Sequence, residues 1–102
     1  MRIVIGHHAL VAFSGSETYL ITVAQQLERL GHDVTAFVHR TGDMTDVARE
    51  RGLHVIDSPD KLPVRCDAVL AQDGPMAYEL AERYPAAPRV YLAHSEIGRA
   101  HV

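Results

Sequence analysis

The first 33 residues, MRIVIGHHALVAFSGSETYLITVAQQLERLGHD, decide the fold because a strand, a turn and a helix follow one another there. Residues 2–5 end in three consecutive β-branched residues, which is typical of a strand buried on both faces. Residues 7–13 are expected to form a loop. Residues 15–30 carry apolar side chains at helical spacing and predict a helix. Such a strand–turn–helix unit presents free backbone N–H groups at the start of the helix, where an anion can bind.

The start and the end of this helix are marked by specific residues. Ser14 and Glu17 have the S-x-x-E spacing of a capping box, in which each side chain accepts a hydrogen bond from the other residue's backbone N–H. Gly31 suits the left-handed residue that follows many helices. The free N–H groups of Gly15 and Ser16 would then face any ligand at this turn.

The rest of the chain alternates between strands and helices. A short helix is predicted at residues 43–51, with Asp43 as its cap, and another after Asp73, with Pro75 in its first turn. Further strands are predicted at residues 34–39, 53–56, 67–71 and 89–93. The alternation indicates a three-layer, Rossmann-like α/β domain with a parallel sheet of about five strands in the order 3-2-1-4-5. A crevice is expected at the carboxyl ends of the first and fourth strands.

Length and composition exclude several classes of protein. A chain of 102 residues is expected to form a single domain, residues 1–102. A net charge of −3, with only ten lysines and arginines, gives no support for a nucleic-acid partner. No apolar run approaches the roughly 18 residues of a membrane span. The single cysteine, Cys66, excludes an intrachain disulfide, so a reduced, cytoplasmic protein is expected.

The first loop does not match the dinucleotide-binding fingerprint G-x-G-x-x-G, because Gly6 is followed by His7 and His8. A receiver domain would need an acidic pair after the first strand and a lysine after the fifth. The histidines stand in place of the acids, and His94 stands in place of the lysine, although Asp57 could serve as the phosphorylated aspartate. A non-enzymatic flavodoxin-like or receiver-like binding module stays open as the alternative function.

Three motifs resemble one enzyme family. Residues 14–19, SGSETY, are similar to the G-G-x-E turn of the retaining glycosyltransferases of the GT-B fold, family 4 (glycosyltransferase group 1), with serine in place of the first glycine. Residues 23–34, VAQQLERLGHDV, resemble the L-A-x-x-L-x-x-x-G-H-x-V continuation of that family's first helix. Residues 90–95, VYLAHS, place a histidine at the end of the fifth strand, as the family commonly does.

The resemblance implies the N-terminal, acceptor-side domain of a nucleotide-sugar-dependent enzyme, truncated at its C-terminal end. The nucleotide-sugar is the donor substrate, and no other cofactor is implied. Nucleotide-sugar and acceptor would be held together only with a second α/β domain that carries an E-x7-E motif, so the 102-residue chain alone is expected to be inactive. In this family the donor phosphate would lie at Ser14, Gly15, Ser16 and Glu17, and His94 would act in catalysis by orienting the sugar or the acceptor.

The residues that follow the strands supply the other candidates. A possible acceptor pocket is expected at His7, His8, Asp73 and Ser95, although Asp73 is first of all expected to cap the helix that follows it. Together with His94, the paired histidines could form a three-histidine metal site, but no ligand spacing supports one, and no metal is expected. The fifth strand, in which Val90, Tyr91 and Leu92 carry no charge, would form an exposed sheet edge, which predicts a homodimer of the isolated domain.

Overall fold

The structure is a computed structural model that describes residues 1–11 and 14–91. It confirms the α/β prediction, since the described residues form one five-stranded, all-parallel sheet in the order β3-β2-β1-β4-β5. The strands are β1 (Arg2–Leu10), β2 (Asp33–Thr41), β3 (His54–Ile56), β4 (Ala68–Ala71) and β5 (Arg89–Tyr91). The helices are α1 (Gly15–Arg29), α2 (Asp43–Glu50) and α3 (Gly74–Arg83), with one 3-10 turn at Pro59–Lys61.

Apolar cores lie on both faces of the sheet. On one face, α1 and α2 pack against β1 and β2 through buried side chains that include Ile5, Leu20, Ile21, Met44 and Ala48. On the other face, α3 packs through Val4, Phe37, Val69, Met76 and Leu80. This arrangement explains why β1 and β2 have nearly continuous apolar sequences, because a central parallel strand is covered on both sides.

Gly6 allows α3 to lie close to β1. A Cβ atom at this position would be 2.4 Å from Met76 Cγ and 2.8 Å from Leu80 Cδ1, and both of those side chains are fully buried. Any larger residue would therefore push α3 away from the central strand. Gly6, which is not part of a dinucleotide-binding fingerprint, therefore has a packing role in this fold.

The predicted helices are confirmed, with corrections to their details. The buried face of α1 consists of Glu17, Leu20, Ile21 and Ala24, whereas Leu30, the last residue of the predicted helix, is its exposed C-cap. The cap of α2 is Gly42 and not Asp43, because Gly42 N–H donates to the Thr45 hydroxyl (3.1 Å) and Asp43 is already helical. None of the helices in the described residues is both long enough and apolar enough to cross a bilayer.

The expectation of a loop at residues 7–13 is wrong for its first half. Strand β1 continues to Leu10, because β2 is equally long and provides hydrogen-bonding partners along its whole length. The register pairs His7 with Val38 and Leu10 with Thr41. His7 and His8 are therefore strand residues, and their side chains are held by a rigid element.

Strand β5 forms one edge of the described sheet, where it pairs with β4. Val90 and Tyr91 are 50% and 52% exposed, and an apolar groove of about 300 Å³ separates this edge from α3. Such an edge offers unpaired backbone groups to another chain. Self-association of the isolated domain stays a prediction, which light scattering at increasing concentration tests. A concentration-independent monomer would contradict it.

Candidate functional site at the carboxyl edge of the sheet

Strand β1 extends past its neighbour β4 at the carboxyl edge of the sheet. β4 ends at Ala71, opposite Gly6, and the chain then turns into α3, whereas β1 continues for four more residues beside β2. Of the helices that begin at this edge, α1 and α3 lie on opposite faces of the sheet beside the end of β1. The resulting crevice is the topological switch point at which open α/β sheets bind their ligands.

The start of α1 is fixed by a buried carboxylate. Ser14 Oγ accepts from Glu17 N–H (3.3 Å), so one half of the predicted capping box is present. The Glu17 carboxylate accepts from the Ser14 hydroxyl (2.8 Å) and from Val11 N–H. Glu17 therefore connects the end of β1 to the first turn of α1, as expected for a residue that keeps this turn rigid.

Asp73 organises the start of α3 and also faces the two histidines. Its Oδ1 accepts from Met76 N–H (2.8 Å) and so caps the helix, as predicted. Its Oδ2 receives three donors, which are His8 N–H (2.9 Å), His7 Nδ1 (3.2 Å) and His8 Nδ1 (3.2 Å). The Asp73 carboxylate thus caps α3 with Oδ1 and holds His7 and His8 with Oδ2.

His7 connects this carboxylate to the start of α1. Because the Asp73 carboxylate only accepts hydrogen bonds, a neutral His7 carries its proton on Nδ1, and Nε2 accepts from the Ser16 hydroxyl (3.3 Å). The Gln72 side-chain amide donates to the Ser16 carbonyl (2.9 Å) and holds the same residue from the side of β4. Ser16 and His7 are therefore positioned by contacts from three elements of the fold.

Burial and hydrogen bonding change the acidity of both members of the His7–Asp73 pair. Burial lowers the pKa of His7, and its neighbour His8 lowers it further, against opposing contributions from Asp73 and Glu17. Burial acts to raise the pKa of Asp73, but the hydrogen bonds from Met76 N–H, His7 and His8 outweigh it, and the pKa is lowered. Near neutral pH the pair is thus a neutral imidazole beside an ionised carboxylate.

The first residue of α1 leaves space for a ligand. Gly15 is exposed, and no described atom lies within 4 Å of a Cβ built on it. Gly74, the first residue of α3, has equally open surroundings among the described residues. Among the described residues, nothing therefore covers the start of α1, where the first N–H groups of the helix and the positive end of its dipole lie.

The structure brings together most of the residues predicted from the sequence. His7, His8, Ser16 and Asp73 lie in one hydrogen-bonded cluster, and Ser14 with Glu17 forms the adjoining turn. His94 and Ser95 lie outside the described residues. The link from Gln72 to Ser16 was not expected. A signal for it was present, because Gln72 directly follows β4 and Ser16 lies in the first turn of the helix after β1, and the ends of these neighbouring parallel strands lie at one edge.

A second groove lies at the opposite, amino edge of the sheet. It has a volume of about 380 Å³, and its lining includes Arg2, Asp33, Cys66 and Asp67. Burial raises the pKa of the Cys66 thiol, and the adjacent Asp67 raises it further, so the thiol is protonated and weakly reactive. This groove lacks helix N-termini and sits at the edge that α/β folds seldom use for ligands.

Comparisons with models of protein families, with curated proteins and with solved structures find no match to this chain.

Proposed function

We propose that this chain is the acceptor-side domain of a retaining, nucleotide-sugar-dependent glycosyltransferase. The complete enzyme would transfer a glycosyl group from a nucleotide diphosphate sugar to an acceptor, and a second α/β domain would hold the nucleotide. The observation that carries the proposal is the cluster that His7 and His8, on the projecting end of β1, form with Asp73 at the start of α3, beside the open start of α1.

The chemistry of the crevice suits a polyhydroxylated ligand with a phosphate. Sugar hydroxyls both donate and accept, and the crevice offers a carboxylate that accepts as well as an exposed imidazole, His8, that does either. A donor phosphate would lie at the N–H groups of Gly15 and Ser16, where the helix dipole favours negative charge. His94 would complete the site by orienting the sugar or the acceptor.

The observed strand order favours this function over a flavodoxin-like or receiver-like module. In those folds the order is 2-1-3-4-5, so the third strand lies directly beside the first. Here β3 lies beyond β2, and β4 is the strand beside β1. The crevice is therefore bordered by Asp73 at the end of β4, whereas Asp57, which follows β3, is at the far side of the sheet.

Amide NMR titration of the chain with nucleotide diphosphate sugars and free sugars tests this proposal. We expect weak, saturable shifts at residues 6–8, 15–17 and 72–73. A Gly15→Ala variant should weaken binding because its methyl group occupies the open space at the helix start, whereas the matched Gly74→Ala variant should not. Glycosyl transfer by the chain alone should stay at background, because catalysis needs donor and acceptor held together.

Two results would contradict the proposal. One is the absence of shifts at the carboxyl edge with every sugar ligand. The other is robust transfer by the chain without a second domain, because the division of labour between the domains would then be wrong.

A further inference from the structure

We propose that His7, His8 and Asp73 form a binding site for a divalent first-row transition metal, of which Zn²⁺ is the best fit. One ligand atom from each of the three residues lies within 4.8 Å of the others. This site does not depend on the proposed transferase activity, since a metal can bind whether or not a sugar does.

The distances in the cluster are close to those of a coordinated ion. Asp73 Oδ2 lies 3.2 Å from both His7 Nδ1 and His8 Nδ1. Ligand bonds of about 2.0–2.1 Å in a tetrahedral zinc site place neighbouring ligand atoms about 3.3 Å apart. Two of the three ligand pairs therefore already have the required separation.

The third pair of ligand atoms, His7 Nδ1 and His8 Nδ1, would come to the required separation by movement of the exposed His8 ring. The His8 side chain is 60% exposed, whereas the His7 side chain is only 5% exposed and is held by Ser16. The two rings are in edge contact, with centroids 4.5 Å apart. Because the His8 ring is the exposed one, we expect it to rotate and turn its Nδ1 toward a shared ion while the buried His7 ring keeps its position.

Consecutive histidines on a strand normally point to opposite faces of the sheet and cannot share a ligand. His7 and His8 nevertheless share one partner here. Strand β1 projects beyond the end of β4, so the Asp73 carboxylate reaches both rings at the open edge. A bound cation would replace the two ring protons that now lie between Asp73 Oδ2 and the Nδ1 atoms of His7 and His8. The third donor, His8 N–H, would keep its hydrogen bond to Oδ2.

The cluster also has the outer contacts that orient metal ligands. When Nδ1 of a neutral imidazole binds a metal, its proton is on Nε2, and in His7 that atom faces the Ser16 hydroxyl at 3.3 Å. Ser16 is itself held by Gln72, and Asp73 Oδ1 is held by Met76 N–H. Asp73 would therefore bind through Oδ2 alone.

Two imidazoles and one carboxylate suit zinc and its first-row neighbours better than magnesium or calcium, which prefer oxygen ligands. Three protein ligands leave at least one coordination position open toward the crevice. That position would accept water or an oxygen of a phosphate or hydroxyl group, so the metal would be a ligand-binding centre and not a closed structural site.

Isothermal titration of the EDTA-treated chain with ZnCl₂ tests the site. We expect saturable binding of one ion per chain, and a loss of affinity of at least about tenfold in His8→Ala and in Asp73→Asn. The Asp73→Asn substitution keeps an amide oxygen for the helix cap, and His8 is exposed, so both variants should remain folded. Imidazole ¹⁵N spectra should show zinc on the Nδ1 atoms of His7 and His8.

The matched controls are His39→Ala, His54→Ala and Asp67→Asn. His39 and His54 are exposed histidines on β2 and β3, and Asp67 accepts from Arg2 N–H at the opposite end of β1. These variants should bind zinc like the unsubstituted chain. The proposal is overturned if no saturable binding occurs, or if the controls lose as much affinity as His8→Ala and Asp73→Asn.

Discussion

Helices α1 and α3, which begin at the carboxyl edge of the sheet on opposite faces, use their acidic residues in different ways. Glu17 in α1 is buried, and its carboxylate holds Val11 N–H and the Ser14 hydroxyl. Asp73 at the start of α3 is partly exposed, and it uses one oxygen for the cap and directs the other at two histidines. Glu17 therefore supports the fold, whereas Asp73 caps its helix and is also the carboxylate for which we propose a binding role.

The largest effect expected from this comparison is on stability, in Glu17→Ala. The substitution leaves the Val11 N–H and the Ser14 hydroxyl without their carboxylate acceptor, at a cost of roughly 1–3 kcal/mol for each donor that stays unsatisfied. Urea unfolding measures the change against Glu82→Ala, an exposed position on α3 that should be nearly neutral. Equal stability of the two variants would show that Glu17 does not fix the turn.

A smaller effect is expected from Gly6→Ala, which tests how closely α3 approaches β1. The new methyl group would overlap Met76 and Leu80, and overpacking of this kind costs about 1–3 kcal/mol. The matched variants Gly15→Ala and Gly74→Ala meet no described atom and should stay within about 0.5 kcal/mol of the parent chain. A neutral Gly6→Ala would mean that α3 lies farther from β1 than in this structure.

Mild acid should lower the free energy of unfolding because His7 takes up a proton less readily in the folded chain than in the unfolded chain. Burial lowers the pKa of His7, and His8 lowers it further against Asp73 and Glu17, so the unfolded chain takes up the proton more readily. The free energy of unfolding in EDTA should therefore fall as the pH drops below about 6.5, the ordinary pKa of histidine. Urea unfolding at pH 7.5 and at pH 5.5 measures this fall.

At lower pH the contribution of Asp73 is lost as well. The pKa of Asp73 is lowered in the folded chain, so its stabilising effect is complete above the ordinary carboxyl pKa of about 3.9 and disappears as the pH falls through the lower folded value. Asp73→Asn should flatten this second phase. Stability that rises on acidification from pH 7.5 would contradict both assignments.

The sequence was sufficient for the order of the sheet but not for the arrangement of the site. The pattern of apolar strands and capped helices predicted the alternating elements, because each carries its own local signal, and the order β3-β2-β1-β4-β5 then followed from the rules for alternating α/β chains. The extension of β1 through His7 and His8 was missed, since its partner is β2 and that contact is not local. The sharing of Asp73 by both histidines depends on where β4 ends, which no spacing in the sequence encodes.

The cap of α2 illustrates the same limit on a smaller scale. Asp43 has the residue type of a cap, but Thr45 accepts from Gly42 N–H and donates to the Leu10 carbonyl (2.8 Å). The hydrogen bond to the extended end of β1 fixes the position of the buried Thr45 hydroxyl. Since this hydroxyl also accepts from Gly42 N–H, Gly42 becomes the cap of the helix. Tertiary contacts therefore explain why the sequence misplaced both the end of β1 and the cap of α2.

The most direct test of the account is the zinc affinity of Glu17→Gln and Asp73→Asn, measured side by side on chains shown to be folded. If Glu17 supports the fold and Asp73 supplies a ligand, Glu17→Gln should retain the affinity of the unsubstituted chain, while Asp73→Asn should lose at least about tenfold. Equal losses in the two variants, or a loss confined to Glu17→Gln, would contradict the division between a structural and a binding carboxylate.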